Sequence, residues 1–493
     1  MSVFSLLMIE TMTESPAVPK RVAVVGGGIS GLAAAHRVHE LVPDAEVLLF
    51  EAAPRLGGVL ETVRQDGYLI ERGADNFITN PTWGIELCRR VGLGDQLLQT
   101  NHQHRHAFVV CRGRLHRIPE GFVIMAPSRI WPVVTTPILS PWGKLRMACE
   151  YFVAQRREEG DESLASFVTR RFGRETYDRL VQPLIGGIYT GDPEKLSVRS
   201  TMPRFQDMER DHGSLIRAVW KQAGKQRSQM QGGSGARYSM FMTLRDGISS
   251  LIDTLAARLP KTAVRTSTPV SRLARDPAGG WLVTIAGAAP ETLRCDAVIL
   301  APKATAAARL MAEVHPQLAE HLAAIPHASC SVVCLGYRRE QIAHAMDGFG
   351  FVVPRVENRR VLSGSFSSVK YPGRAPEGSA LVRAFIGGEL QPELAALPDD
   401  ELVAIAREEL GQLLGISGQP NLVLISRYDQ GMPQYYVGHG ERMQQVESAL
   451  QELPGLYFTG NAFGGVGIPF CIYKSEKVAE RVAAQVNDAG SAT

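Results

Sequence analysis

The segment from Arg21 to Glu51 constrains this chain more than any other. Arg21–Val25 (RVAVV) is apolar after its first residue, Ser30–Leu41 carries apolar residues at helical spacing, and Glu46–Phe50 (EVLLF) is likewise apolar after Glu46. The pattern predicts a strand, a helix and a parallel strand. Between the first strand and the helix stand Gly26, Gly28 and Gly31 in G-x-G-x-x-G spacing, and Glu51 follows the second strand twenty residues after the last glycine. Each glycine has a mechanical reason: the first makes the turn, the second lets a pyrophosphate approach the backbone, and the third lets helix meet sheet. The helix start, with Ser30 in its first turn, then faces the phosphate charge. Glu51 is placed to accept hydrogen bonds from ribose hydroxyls, which puts FAD or NAD ahead of NADP.

A length of 493 residues exceeds what one core organises and predicts two or three units. A formal charge of +3 over that length argues against nucleic acid as a partner. The seven cysteines are scattered without a C-x-x-C pair, so neither a disulfide framework nor a metal site is expected, and a reducing, cytoplasmic compartment fits best. Residues 1–19 read as an N-terminal extension with a short apolar patch, Val3–Ile9, and no basic segment before it. No run is long enough to span a membrane, although Gly121–Leu139 is rich in apolar and aromatic residues and allows peripheral contact with the inner membrane.

From about residue 81 to 220 the periodicity is helical, with helices expected at Trp83–Val91, Pro141–Arg157, Ser163–Phe172, Glu175–Leu184 and Leu215–Gln226. Gln226–Arg237 (QRSQMQGGSGAR) reads as a loop between units. A helix from Gly247 and strands at Val264–Thr268, Trp281–Ile285 and Ala297–Ala301 follow. Residues 328–440 alternate strands with one clear helix, Glu401–Leu414, and the chain closes with strand Gly455–Thr459, a glycine-rich turn and helix Tyr473–Val486.

The choice between FAD and NAD comes from Arg55, Gly57 and Gly58. An arginine and a glycine pair just after the acidic strand end allow a second close approach of backbone to an extended cofactor, and resemble the signature of the amine oxidase class of flavoproteins. The turn Gly460–Pro469, containing Asn461, Val466, Gly467 and Ile468, opens the last helix; in that class the chain's end returns to present backbone amides to the flavin. Val270 would be the backbone contact to adenine.

Residues 182–197 (QPLIGGIYTGDPEKLS) narrow the resemblance: they are similar to the signature of the flavin-dependent porphyrinogen oxidases of haem biosynthesis, which act on protoporphyrinogen or coproporphyrinogen. The similarity runs from residue 20 to 486 and includes Gly73-Ala74-Asp75 and Phe385-Ile386-Gly387-Gly388. It implies an α/β chain, α+β overall: a Rossmann-type FAD-binding domain in three segments (20–80, 236–305 and 455–488), an inserted helical domain (81–220) that touches membrane, and a mixed-sheet substrate domain (306–454). Gly73 is implied beside the cofactor. Asp75 is implied beside flavin and substrate, orienting a pyrrole N–H, while Val352, Ser365 and Phe385 match positions that clamp the macrocycle between apolar faces.

Oxidation of a porphyrinogen removes six electrons, so the resemblance implies three rounds in which a hydride equivalent passes from a meso carbon to the flavin and dioxygen is reduced to hydrogen peroxide. The pyrroles stabilise the cation left behind, so the protein supplies orientation and electrostatics rather than a strong base. No Ser-His-Asp, Cys-His or paired-carboxylate arrangement is evident, in keeping with that. One position departs from the family: where the mitochondrial and plant enzymes carry a propionate-binding arginine, this chain has Ala107. Arg105, His106, Arg112 and Arg114 surround it and offer local positive charge to carboxylates, or form a solvated face. With the GVGIP turn, this looks more like the Gram-positive type acting on coproporphyrinogen III, with protoporphyrinogen IX close behind. Implied partners are the tetrapyrrole, dioxygen, a ferrochelatase or next haem enzyme receiving the product, and a second copy of the chain. A flavin amine oxidase or phytoene-desaturase-like enzyme is one alternative; a flavin-binding partner protein without turnover is another.

Overall fold

Five parallel strands, the central ones buried on both faces, organise the first lobe. Along Arg21–Val25, Val22 and Val24 enter one core and Ala23 and Val25 the other; Glu46–Phe50 and Ala297–Leu300 alternate the same way. Two-sided burial is why these strands read as continuous apolar runs rather than alternating ones. The structure, a computed structural model, describes residues 20–491 apart from 105, 124, 128, 130, 159, 222–239 and 288–289. The Val3–Ile9 patch, the Gln226–Arg237 loop and Arg105 therefore lie outside the described residues.

The spatial order of this sheet is Val264–Arg265, Glu46–Phe50, Arg21–Val25, Ala297–Leu300, Leu456–Phe458, which is 3-2-1-4-5 in chain order. Strands from three separate stretches of sequence thus share one sheet. The order reverses between Arg21–Val25 and Ala297–Leu300, and in open parallel sheets a ligand sits beyond the carboxyl ends of the strands at such a reversal. Helices Ile29–Leu41 and Ile468–Ser491 pack together on one face; an antiparallel sheet of Val270–Arg275, Trp281–Ile285 and Glu291–Cys295 contributes to the core on the other.

A seven-stranded mixed sheet forms the second lobe. Its order is Leu422–Pro433, His327–Arg338, Ser379–Gly387, Ser363–Phe366, Gly350–Val352, Phe108–Cys111, Arg114–Arg117. The last two strands correct the sequence reading, which put 81–220 down as helical. Phe108–Cys111 is buried throughout and pairs in parallel with Gly350–Val352, so a stretch 240 residues away in sequence completes its edge. Helix Asp399–Leu414 covers one face through Leu402, Ile405, Ala406 and Leu410. The opposite face looks toward the first lobe.

Helix Trp83–Arg90 forms where the periodicity put it but packs in the core of the first lobe, and the inserted helical region itself starts at Trp131. Its pieces are shorter than expected: Pro141–Ala148 runs into a 3-10 turn, Cys149–Phe152, where a helix to Arg157 was predicted. Ser163 caps Leu164–Phe172 by accepting a hydrogen bond from the Ser166 amide. The stretch from Arg174 to Tyr189 is helical and contains a π-helical turn at Tyr177–Val181. Among the described residues, no helix is long and apolar enough to cross a membrane.

Candidate active site

The glycine corner forms at the reversal of strand order. Gly26 has φ +108°, a conformation that disfavours side chains, and an added Cβ would lie 3.0 Å from the carbonyl of Ala301 at the end of the neighbouring strand. At Gly31 a Cβ would fall 1.8 Å from the Gly26 carbonyl oxygen, so only glycine lets the helix cross here. Gly28 differs from both. Its φ is an ordinary −72°, and no protein atom lies within 4 Å of the position a Cβ would take. The helix that begins there has neither a side-chain cap nor an acidic residue in its first turn. An uncapped helix start with open space beside its first residue is what an anion-binding site of this kind requires.

Glu51 sits at the same corner. One carboxylate oxygen accepts from the Gly27 amide at 2.6 Å and the other from the Ala53 amide at 2.8 Å. The chain from Thr266 to Val270 runs alongside, with Ser267 and Thr268 donating to the carbonyls of Ala53 and Glu51, before Val270 enters the antiparallel sheet opposite Ile285. Gly57 donates to Gly27, and the Gly57–Gly58 bend lies against Gly28. Arg55 folds back on its own loop, donating to the carbonyls of Leu56, Gly58 and Leu60 and pairing with Glu61 at 3.2 Å. It braces the bend.

The turn Gly460–Gly467 reaches the corner from the other side. Gly460, Gly465 and Gly467 all have positive φ, and Ile468 begins the last helix five residues before the predicted start at Tyr473. Ser30, buried in the first turn of Ile29–Leu41, lies beside the buried Cys471 in the first turn of Ile468–Ser491. Two helix N-termini therefore converge on one place. Asn461 is half-buried, and Val466 packs against the helical core. An elongated anionic dinucleotide fits: an uncapped helix start, a glycine with open space at its Cα, and an acid held at the strand end. Gly26, Gly28, Ser30, Gly31, Glu51, Gly57 and Gly58 would hold its pyrophosphate and ribose. Gly73 has a further reason to be glycine, since a Cβ there would meet the Val59 carbonyl at 2.0 Å.

Gly73 leads to Asp75, where the two lobes touch. Lys370 donates to Asp75 Oδ2 at 2.8 Å, Arg383 lies 3.5 Å from the same oxygen, and Ser365 Oγ is also 3.5 Å away. Burial alone would raise the Asp75 carboxyl, but Lys370 and then Arg383 outweigh it and hold it below the ordinary carboxylate range. Asp75 is thus a charged acceptor. Arg383 also donates to the carbonyls of Arg72 and Gly73, which docks this loop on the sheet.

Strand register places the predicted substrate residues together. Val352 pairs with Ser363 and Ser363 with Phe385, while Ser365 pairs with Arg383 two residues along, so all project from one face. Arg383 lies 5.2 Å from the centroid of the Phe385 ring. Opposite them, the exposed Gly187 and Ile188 come from the 182–197 segment, with Val352 near Gly187. Ala107 directly precedes Phe108–Cys111 and borders this sheet, whereas Arg112 and Arg114 lie at the distal hairpin, where the Arg112 and Gly113 amides bind Glu357. Lys370 and Arg383 escaped the sequence reading. The available signal was a charged residue, Arg383, in the middle of an otherwise apolar strand (SALVRAFIG). Among the described residues no cluster of His, Cys, Asp or Glu suits a metal ion.

Fold and corner together define a two-lobed dinucleotide-dependent oxidoreductase, with a mixed sheet facing the cofactor groove. Comparison with known proteins names the group: residues 29–483 match the family of flavin containing amine oxidoreductases, and the chain belongs to it, with FAD as its cofactor. It is similar to coproporphyrinogen III oxidase of Bacillus subtilis (strain 168), 34% identical with 92% of this chain and 96% of that one covered. It also resembles protoporphyrinogen oxidase 2, chloroplastic/mitochondrial, of Arabidopsis thaliana, at 28% identity over 94% of each. A solved structure from Exiguobacterium sp. 255-15, nominally assigned as a protoporphyrinogen oxidase, superposes with a TM-score of 0.82 at 30% identity, covering 94% of this chain and 99% of that one.

Proposed function

We propose that this protein is an FAD-dependent porphyrinogen oxidase that removes six electrons from coproporphyrinogen III, with dioxygen as acceptor and hydrogen peroxide as by-product. The observation that carries the reading is the sheet face of Val352, Ser363, Ser365 and Phe385 set beside the Asp75–Lys370–Arg383 cluster. It offers a wall for a macrocycle in which the Asp75 carboxylate is paired with Lys370 and Arg383 rather than left free to act as a strong base. Bound FAD supplies the two-electron acceptor, used three times per substrate. Phe385 stacks on the ring system, and Val352, with Gly187 and Ile188 across from it, confines the macrocycle and excludes water. Asp75, charged and fixed by Lys370, accepts from a pyrrole N–H and disfavours rotation of the ring in its plane.

Coproporphyrinogen III is preferred over protoporphyrinogen IX because the relative named for it matches at 34% rather than 28% identity, and because Ala107 leaves no arginine where a two-propionate substrate would be anchored. Trp131, Trp142 and Phe152 are 74%, 78% and 82% exposed on the helical region, and support peripheral membrane contact there.

The test is aerobic turnover of each porphyrinogen separately, followed by porphyrin fluorescence and peroxide. Faster oxidation of coproporphyrinogen III is expected, with Phe385→Ala raising KM for it. Activity on neither compound would remove the proposal, and faster use of protoporphyrinogen IX would reverse its substrate assignment.

A further inference from the structure

The 182–197 segment lies in the helical region, yet its backbone is tied to the turn that opens the last helix. The tie runs through residues 434–437, just beyond strand Leu422–Pro433. Ser197 N–H donates to the Tyr435 carbonyl at 2.8 Å, Val437 N–H donates to Lys195, and Leu196 bridges Tyr436. The Gln434 side chain donates to the carbonyl of Tyr189 at 2.9 Å. Residues 434–437 are therefore fastened along the wall that carries Gly187 and Ile188.

From this strip the Tyr435 side chain points the other way. It is 3% exposed, and its ring stacks on His439 at 4.2 Å and 14°. Its hydroxyl accepts from the Gly465 amide at 3.1 Å and donates to the Asn461 carbonyl. Burial pushes the phenol up from its ordinary value, so it remains a neutral hydroxyl able to do both. The hydroxyl thus bridges the two ends of the 461–465 bend, in a turn where Gly460 and Gly465 have positive φ.

We propose that Tyr435 is a positioning residue for FAD: its hydroxyl sets the shape of the 461–465 turn and links that shape to the 189–197 segment beside the substrate wall. This rests on the reading that the turn faces the flavin. The binding consequence follows from chemistry: without the hydroxyl, the half-buried Gly465 amide and Asn461 carbonyl lose their shared partner and the turn is free to present different groups to the cofactor.

The test is Tyr435→Phe, which keeps the ring and its stack. Loss of the hydroxyl is expected to raise the FAD Kd of the apoprotein about ten-fold, to shift the flavin midpoint potential, and to speed hydrogen exchange at the Gly465 amide. Tyr457→Phe is the control, removing a hydroxyl bonded to Gln485 at 2.6 Å elsewhere in the same lobe, and leaves all three readouts unchanged. An FAD Kd and potential equal to the unmodified protein's would overturn the proposal. So would an equal shift in Tyr457→Phe, or a Gly465 amide as protected in the variant as in the unmodified holoenzyme. Gly28→Ala, measured alongside, separates the two levels of the argument. If it also binds FAD normally, the glycine corner itself is misassigned; if it releases FAD while Tyr435→Phe does not, only the role of Tyr435 fails.

Discussion

Gly28→Ala separates cofactor binding from folding at a single methyl group. The backbone there has φ −72° and ψ 179°, extended geometry that alanine adopts without strain, and no protein atom lies within 4 Å of the new Cβ. Folding of the apoprotein is therefore expected to be unchanged or improved by about 0.4–1 kcal/mol, through the lower entropy of the unfolded chain. The same methyl occupies the space through which a pyrophosphate would reach the first amides of helix Ile29–Leu41. Each charge-assisted hydrogen bond lost is worth about 1.5–3 kcal/mol. Losing two makes FAD at least about a hundred-fold weaker, at 1.4 kcal/mol per factor of ten. Gly31→Ala is the opposite case: its Cβ would lie 1.8 Å from the Gly26 carbonyl oxygen, so the apoprotein itself is expected to lose several kcal/mol, of order 3 or more. The assay is calorimetric melting of both apoproteins together with FAD titration by fluorescence quenching. A Gly28→Ala protein that purifies with stoichiometric FAD, or that unfolds as readily as Gly31→Ala, would refute the reasoning.

Three further outcomes are expected. Asp75→Asn leaves Lys370 and Arg383 facing a neutral amide and should cost about 3–5 kcal/mol of stability, the range for breaking a buried pair; adding Lys370→Met should recover part of it, and no recovery in thermal melts would count against the ion-pair reading. Because the Asp75 carboxyl is held below its ordinary value, its contribution is present above the unfolded-state value near 3.8 and is lost as pH falls below that, so a stability profile showing this loss at neutral pH would contradict the assignment. Trp142→Ser with Phe152→Ser should abolish flotation with anionic liposomes without altering turnover of soluble substrate; flotation equal to that of the unmodified protein would remove the membrane surface from consideration.

Local chemistry decided the first lobe. A parallel strand buried on both faces must be apolar throughout, and a helix crossing a strand end must place glycine where backbones meet, so Arg21–Val25 and Glu46–Phe50 were legible to the residue and the roles of Gly26 and Gly31 followed from spacing. Short elements were less legible. Phe108–Cys111 carries four apolar residues that suit a helix turn or a strand equally, and only pairing with Gly350–Val352 settles which. The last helix was predicted late because Ile468-Pro469 reads as part of the glycine turn, whereas proline is at home in a helix's first turn.

What the sequence by itself determined was a dinucleotide corner and, through resemblance, its chemistry. Tertiary structure alone brought Asp75, Lys370 and Arg383 onto one carboxylate oxygen, across sequence separations of about 300 residues, and alone placed Tyr435 against Gly465. The reason is physical. A motif whose partners lie within one strand-turn-helix is fixed by backbone geometry that spacing encodes, while an ion pair between lobes depends on the register of a sheet and the docking of a loop, neither of which leaves a periodic trace in the chain.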